Sequence, residues 1–367
     1  PAVAGYGGGG RPGAGPAALP LTSEVDQVAG SGRDTSFFLN PHSAGFGPYR
    51  AADDLLHPEM NAEIDDPALT ETQYLGFSVP EANLQALNYL WVHPNLQLLT
   101  GGVWAWQGVK RTTLSAELFD MRQFIPDECI RRGDVADYEL PMGYRVKVLQ
   151  PLERIHIAYD DPARGNAFDV TLTAVMPPAM IASGKHFDQA MRTEGEVVLR
   201  GRRHRVDGYT VRDRSWAEAR PEDPRPVPPV HWVTGVFSDD FAVHMMGIED
   251  PAAGPIWKDA FPEAEAMTAI NRGWVWRDGE LTGLQSAAIT TQWDRDTGYP
   301  VAHAVQITDT NGRELSLAGT VTATCPWSTW SNVNMLIGLT RWECEGRMAW
   351  GDSQLAVWTD FVHRCFG

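Results

Sequence analysis

The sequence predicts an all-β protein of two tandem antiparallel barrel or sandwich domains, and three observations predict it. Apolar residues recur with period 2: in "FDVTLTAVM", Phe168, Val170, Leu172, Ala174 and Met176 share one face, while Asp169, Thr171 and Thr173 take the other. Turn dipeptides separate such runs at short intervals. Between Arg220 and Val230, "RPEDPRPVPPV" holds five prolines. A stretch without those backbone donors cannot lie inside a sheet, so it divides the chain.

The elements follow in order. Residues 1–33 are rich in Gly, Pro and Ala; they hold too little apolar surface to order themselves and are expected to be a flexible segment. They lack a basic stretch and an apolar core, so as they stand they do not read as a signal peptide. The first β-domain is expected over 34–220. Within it, "PEANLQALNYLW" opens as one short helix. "YLWVHPNLQLLTGGVWAW" reads as a sharp bend between strands, with Trp104 and Trp106 on one strand face. "EGEVVLRGRRHRVDGYTV" reads as strand, tight turn around Gly201, strand. Residues 221–229 form an extended linker, and the second β-domain runs over 230–367. There "VFSDDFAVHMMGI" has the strand–turn–strand pattern, and Asp278-Gly279 and Asn311-Gly312 favour two-residue hairpin turns.

Composition narrows the function. Hydrophobic residues are 43% and charged residues 21%, an ordinary globular balance. The net charge of −17 argues against nucleic acid or an anionic membrane surface as a partner, because both require a basic face. No run approaches the roughly 18 apolar residues of a transmembrane segment. Cys129, Cys325, Cys344 and Cys365 lack metal-ligand spacing, which argues against zinc and suits idle thiols in a reducing, cytoplasmic setting. The sequence holds no phosphate-cradling loop, no G-x-G-x-x-G after a strand and no H-E-x-x-H, so no cofactor and no metal are expected. A homodimer stays open.

The chemistry concentrates between His186 and Trp216. On a strand, Asp207, Tyr209, Val211 and Asp213 share a face, and Val206, Gly208, Thr210, Arg212, Arg214 and Trp216 share the other. If the first face lines a barrel interior, the Asp213 carboxyl is desolvated and its pKa rises, as suits a general acid. Taken alone, an ion pair between Asp213 and an arginine is the commoner arrangement. A hairpin turning at Gly201 brings His186 within one or two pairs of the region beyond Trp216, and so close to Asp213. Fourteen tryptophans are present. Core packing accounts for most, yet indoles such as Trp104, Trp106 and Trp232 also wall cavities for flat or unsaturated ligands.

"HFDQ" followed by "EGEVVLRGRRHRVDGYTVRDRSW" resembles the AttH/CrtC-like families, which include the carotenoid 1,2-hydratase (hydroxyneurosporene synthase) type. "ETQYLGFSVPEANLQALNYLWVHPNLQLLTGGVWAW" and "WECEGRMAWGDSQLAVW" resemble the uncharacterised bacterial members of that group. The resemblance implies two lipocalin-like domains and cofactor-free chemistry on unsaturated isoprenoids, with Asp213 as proton donor aided by His186, Tyr209 and Trp216. One departure stands out: the family's "DRSW" usually continues with Gly, and here the next residue is Ala217.

The sequence therefore points to a cofactor-independent lyase, of the hydratase, dehydratase, isomerase or carbon–carbon lyase kind, acting on a hydrophobic unsaturated or aromatic small molecule such as a terpenoid. Asp213, His186 and Tyr209 are the expected catalytic residues. Trp216, Arg214, Arg212, Gln189, His231, Trp232, Trp104 and Trp106 are expected to bind substrate, with Arg212 or Arg214 orienting Asp213. The alternative is a non-catalytic carrier of a hydrophobic ligand, which needs no buried carboxyl.

Overall fold

The computed structural model describes residues 45–220, 229–249, 270–330 and 332–366. The expected flexible segment and most of the expected linker fall outside the described residues.

The described residues form two antiparallel sheets. The first holds β1 (Leu69–Val79), β2 (Leu84–His93), β3 (Leu98–Gln107), β4 (Leu118–Pro126), β5 (Asp137–Glu139), β6 (Arg145–Gln150), β7 (Arg154–Asp161), β8 (Asn166–Ala174), β9 (Ala179–Met180), β10 (His186–Leu199) and β11 (Arg202–Ala219). Its order is β4-β3-β2-β1-β11-β10-β8-β7-β6-β5, with β9 beside β10. The sheet curls around its own core as a half-barrel, and Tyr159 of β7 donates to Asp120 of β4 at 3.0 Å across the gap. Inward residues such as Phe77, Val103, Ile157, Leu172 and Val206 fill it. The period-2 pattern explains this, since each strand sends alternate apolar side chains into the curl.

The second sheet is a closed barrel: β12 (Val230–Ser238), β13 (Phe241–Ile248), β14 (Ile270–Arg277), β15 (Glu280–Asp294), β16 (Tyr299–Asp309), β17 (Glu314–Trp330), β18 (Val333–Cys344) and β19 (Arg347–Trp358), with β19 returning to β12. Closure removes free edges. Val233, Val243, Val305, Leu317 and Trp342 fill the lumen. No helix among the described residues is long and apolar enough to cross a membrane.

Turn chemistry sets the register that matters. Arg200 and Gly201 both have positive φ (48° and 79°), as do Asp278 and Gly279 (51° and 84°), so these two hairpins use the two-residue turns the sequence suggests. At Asn311-Gly312 only Gly312 is left-handed (φ 80°), and the loop between β16 and β17 is longer than two residues. "PEANLQALNYLW" opens with a single 3₁₀ turn at Pro80–Ala82 and continues as β2, because the β-rich run after it pairs with β1. Cys129, Cys325 and Cys344 are free thiols.

One irregularity lies beside the functional residues. β11 carries two residues, Trp216 and Ala217, against the single Glu71 of β1, a β-bulge. Ala217 takes φ 52°, in the left-handed region. That is the position where the resembling families place Gly, and the backbone conformation supplies the reason.

Candidate active site

Counting back from the Arg200-Gly201 turn, Asp188 of β10 falls opposite Asp213 of β11, and His186 falls opposite Ser215. Side-chain alternation then divides the hairpin. Ala190 and Val211, on the Asp188/Asp213 face, pack against Val236, Ala242 and Trp274 of the closed barrel. The acidic face is thus the outer face of the half-barrel, covered by the outer wall of the closed barrel. It is not the barrel interior that the sequence suggested.

The polar atoms converge between the two sheets. His186 Nε2 lies 2.7 Å from Asp188 Oδ1. Asp188 Oδ2 stands 3.4 Å from His244 Nε2 and 3.6 Å from Arg272 Nε, both on the closed barrel. Asp213 is 8% exposed, and its Oδ1 has no hydrogen-bond partner among the described residues. Trp232 closes the wall, 4.3 Å from the His244 ring and 6.4 Å from that of His186.

Burial dominates the electrostatics, and it acts differently on the two carboxyls. Burial pushes the Asp213 carboxyl above its ordinary value, helped by the neighbouring Asp188 charge and opposed by His186. Burial also acts to raise Asp188, but His186, His244 and Arg272 together hold it below the usual carboxylate range. Burial lowers His244 to about 4, so its imidazole is neutral at pH 7. The pair is therefore split: one carboxyl holds its proton more tightly than an ordinary carboxylic acid, the other less tightly.

A second polar node adjoins the first. Tyr74 of β1 is the register partner of Asp213. Its hydroxyl donates to Asp352 Oδ2 at 2.9 Å, and Thr234 donates to the other oxygen at 2.7 Å. Burial and the Asp352 charge raise Tyr74 well above the ordinary phenol value, so it stays a hydrogen-bond donor. From Tyr74 a run of rings leads away through Tyr89, Trp91, Trp327, Trp104 and Trp106 at centroid spacings of 4.1 to 6.0 Å.

His186, Asp188 and Asp213 are the residues best placed to hold a cation, with one donor atom each within 4.8 Å of the others. Asp188, however, already faces Arg272, which supplies counter-charge an ion would bring, and the neutral His244 ring stands on the same oxygen. The donor set fits a charge-balanced proton site better than a metal centre.

Of the residues singled out from sequence, the structure brings Asp213, His186 and Trp232 together. Tyr209 is not among them: it lies four residues up the strand, and its hydroxyl donates to Asp239 at 2.9 Å. Arg212, Arg214, Gln189 and Trp216 point to the opposite face, inside the half-barrel. Arg212 binds Asp54 at 2.6 Å and Gln189 at 2.8 Å, Arg214 binds Glu71 at 2.6 Å, and Trp216 stacks on His57 at 3.8 Å. The arginines therefore do not orient Asp213; strand alternation gives them buried acids of their own. His231 points into the closed barrel, 5.7 Å from the His303 ring. Trp104 and Trp106 are 0% exposed in the packing between the sheets.

His244, Arg272, Tyr74 and Asp352 escape sequence reasoning because they arrive from distant strands. A signal exists for two of them. His244 is the lone polar residue of "FAVHMMGI" and Asp352 the lone charged residue of "AWGDSQLAVW", and only a buried polar partner makes such a residue tolerable.

Comparison with known proteins adds the family. The model of a domain of unknown function, DUF7064, matches residues 50–358. The chain belongs to the DUF7064 family. No curated protein matches it. Among solved structures, this DUF7064 chain is similar to a protein assigned as AttH from Nitrosomonas europaea (14% identity, TM-score 0.57, covering 86% of this chain and 98% of that one). It is also similar to CghA in complex with Sch210972 (11% identity, TM-score 0.53, covering 88% and 97%). Kievitone hydratase from Nectria haematococca aligns at 12% identity and a TM-score of 0.48, over 88% and 98%. The likenesses to the protein assigned as AttH and to CghA show that this chain shares their fold.

Proposed function

We propose that this protein is a cofactor-independent acid–base enzyme, a hydratase, dehydratase or isomerase acting on a small unsaturated or aromatic molecule held between the two sheets. The observation that carries the reading is the opposed pair Asp188 and Asp213. One carboxyl is kept anionic by His186, while the other is buried, nearly dry and has no hydrogen-bond partner among the described residues. A carrier needs neither. Asp213 delivers a proton to a carbon or to a departing oxygen, and the His186–Asp188 dyad holds the acid's surroundings fixed and accepts the returning proton. Tyr74, its hydroxyl proton committed to Asp352, lines the substrate edge and offers its oxygen as an acceptor there. Placed proton transfer supplies on the order of 10²–10⁴-fold, and fixed dipoles in a water-poor site add more. The similar structure CghA has been crystallised with Sch210972, which supports a small organic ligand in this fold.

The test is turnover in deuterium oxide of a substrate found by metabolite profiling of a deletion strain. The wild-type protein is expected to place one solvent deuterium on carbon, or to lose one from it. Asp213→Asn is expected to abolish this while keeping the fold. Equal turnover by the variant removes Asp213 from the mechanism, and retention of a ligand without any turnover makes the protein a carrier.

A further inference from the structure

We infer that the molecule bound at this site carries neutral, hydrogen-bond-accepting oxygen beside the atom that is protonated, and so is an oxygenated ring compound rather than a hydrocarbon. This rests on the same acid–base site. Its basis is a set of polar atoms the protein leaves unanswered. Trp232 Nε1 and Trp274 Nε1 have no hydrogen-bond partner among the described residues, and the His244 ring beside them already faces Asp188 Oδ2, 3.4 Å from its Nε2. All belong to the closed-barrel wall that faces Asp188 and Asp213: the Trp232 ring is 4.3 Å and the Trp274 ring 5.6 Å from that of His244. Buried N–H groups are almost always paired.

The chemistry of the donors selects the ligand. An indole N–H donates and cannot accept, so only an acceptor answers it. Water can serve while the site is empty. A ligand that displaces the water has to replace its hydrogen bonds or lose affinity. A polyene or plain arene strips the water and answers none of these atoms. A carbonyl, ether or hydroxyl oxygen answers one or two. An anionic oxygen is disfavoured because Asp188 and Asp352 already place carboxylates on either side, and Arg272 faces Asp188. What remains is a neutral oxygen on a flat ring that stacks along Trp232. A site built to hydrogen-bond a substrate oxygen discriminates strongly against the analogue without it.

The test uses two probes of one shape, 9-fluorenone and fluorene, and reads binding to the whole chain by equilibrium dialysis at pH 7. Fluorenone is expected to bind at least about tenfold more tightly, the ratio one answered donor gives. Trp232→Phe keeps an aromatic ring and deletes the N–H. It is expected to bring fluorenone to within about threefold of fluorene, the smaller ring weakening both probes alike, with circular dichroism confirming the fold. Trp274→Phe gives an independent second variant. Fluorene binding as well as fluorenone, retention of neither, or an unchanged ratio in both variants overturns the inference. Because the measurement reads binding and not turnover, an active Asp213→Asn protein would defeat the acid assignment and leave this result standing.

Discussion

Asp213 stands directly opposite Asp188 on neighbouring strands, and the pKa values of the two carboxyls are driven in opposite directions. They differ in what surrounds them. Asp188 meets His186, His244 and Arg272, whereas Asp213 Oδ1 meets no donor among the described residues. Two like charges on facing positions cannot both ionise cheaply, so the partner with the hydrogen-bonding and cationic neighbours takes the charge.

The first prediction follows from the raised Asp213. A folded-state pKa above the unfolded value means the native protein binds that proton more tightly. Stability therefore falls as pH climbs from about 4 through the folded pKa. Asn carries no such penalty. Asp213→Asn is expected to be at least as stable as wild type at pH 7, while losing activity. Urea denaturation at pH 4 and pH 7 checks it: the two proteins should converge at pH 4. A less stable variant at pH 7 would mean that the ionised form is well bonded.

Asp188 predicts the reverse. Its pKa is held below the ordinary value, so its contribution is present above about pH 4 and is lost as pH falls toward the folded pKa. Asp188→Asn leaves Arg272 without this partner and weakens the hold on His186. Removing one member of a buried ionic cluster costs about 3–5 kcal/mol. Urea midpoints at pH 7 should show that loss together with loss of activity.

How much of this was legible in the sequence can be argued residue by residue. The alternation in "VDGYTVRDRSW" and the turn at Gly201 suffice to bring His186 near Asp213, because register in a hairpin is local arithmetic. The same alternation separates Asp213 from Arg212 and Arg214, and it leaves their partners, Asp54 and Glu71, undetermined. Those lie more than 140 residues away in the chain, as does Asp352 from Tyr74, and no local pattern encodes such contacts. Whether a face lines a lumen or an interface between sheets is likewise a property of the assembled layers. That is why His231 and Trp232, adjacent in sequence, end on opposite sides of one wall.

The third prediction separates binding from scaffold. Arg214 and Glu71 are both fully buried and pair at 2.6 Å, and Glu71 also accepts from Asn61 at 2.9 Å and pairs with His57 at 2.9 Å. Arg214→Met strands the carboxylate, at a cost of about 3–5 kcal/mol. Pairing it with Glu71→Leu restores much of that, because an apolar pair of similar volume replaces the ionic one. A double-mutant cycle in urea measures the coupling, and additive losses would contradict it.

His244 gives a pH signature. Its imidazole is buried and its pKa lowered to about 4, so the unfolded chain takes up a proton near pH 6.5 that the native protein refuses. Stability due to this group is complete above about pH 6.5 and falls as pH drops toward 4, by roughly 3 kcal/mol. His244→Phe should flatten that stretch of the stability–pH curve. An unchanged slope would locate the titration elsewhere, with buried His303 as the next candidate.

The fifth prediction concerns Ala217. Its φ of 52° places a Cβ where left-handed backbone crowds it, a cost of about 1–2 kcal/mol for an L-residue. Glycine removes that cost but loses about 0.5–1 kcal/mol of chain entropy on folding. Ala217→Gly should therefore stabilise the protein by about 0.5–1 kcal/mol, read as a raised thermal midpoint. The position lies in the bulge against Glu71, where the Ala217 N–H donates to Asn61 at 3.1 Å. Glycine keeps that bond. The bulge aims Ser215 at Thr72, with 2.6 Å between their hydroxyls, and so fixes the end of the strand that presents Asp213. A strained residue in such a place can be held only by its surroundings, so relief of strain should raise stability without moving the hairpin register. If Ala217→Gly destabilised the protein instead, the strain would be smaller than the entropy it offsets, and the glycine of the resembling families would need another explanation.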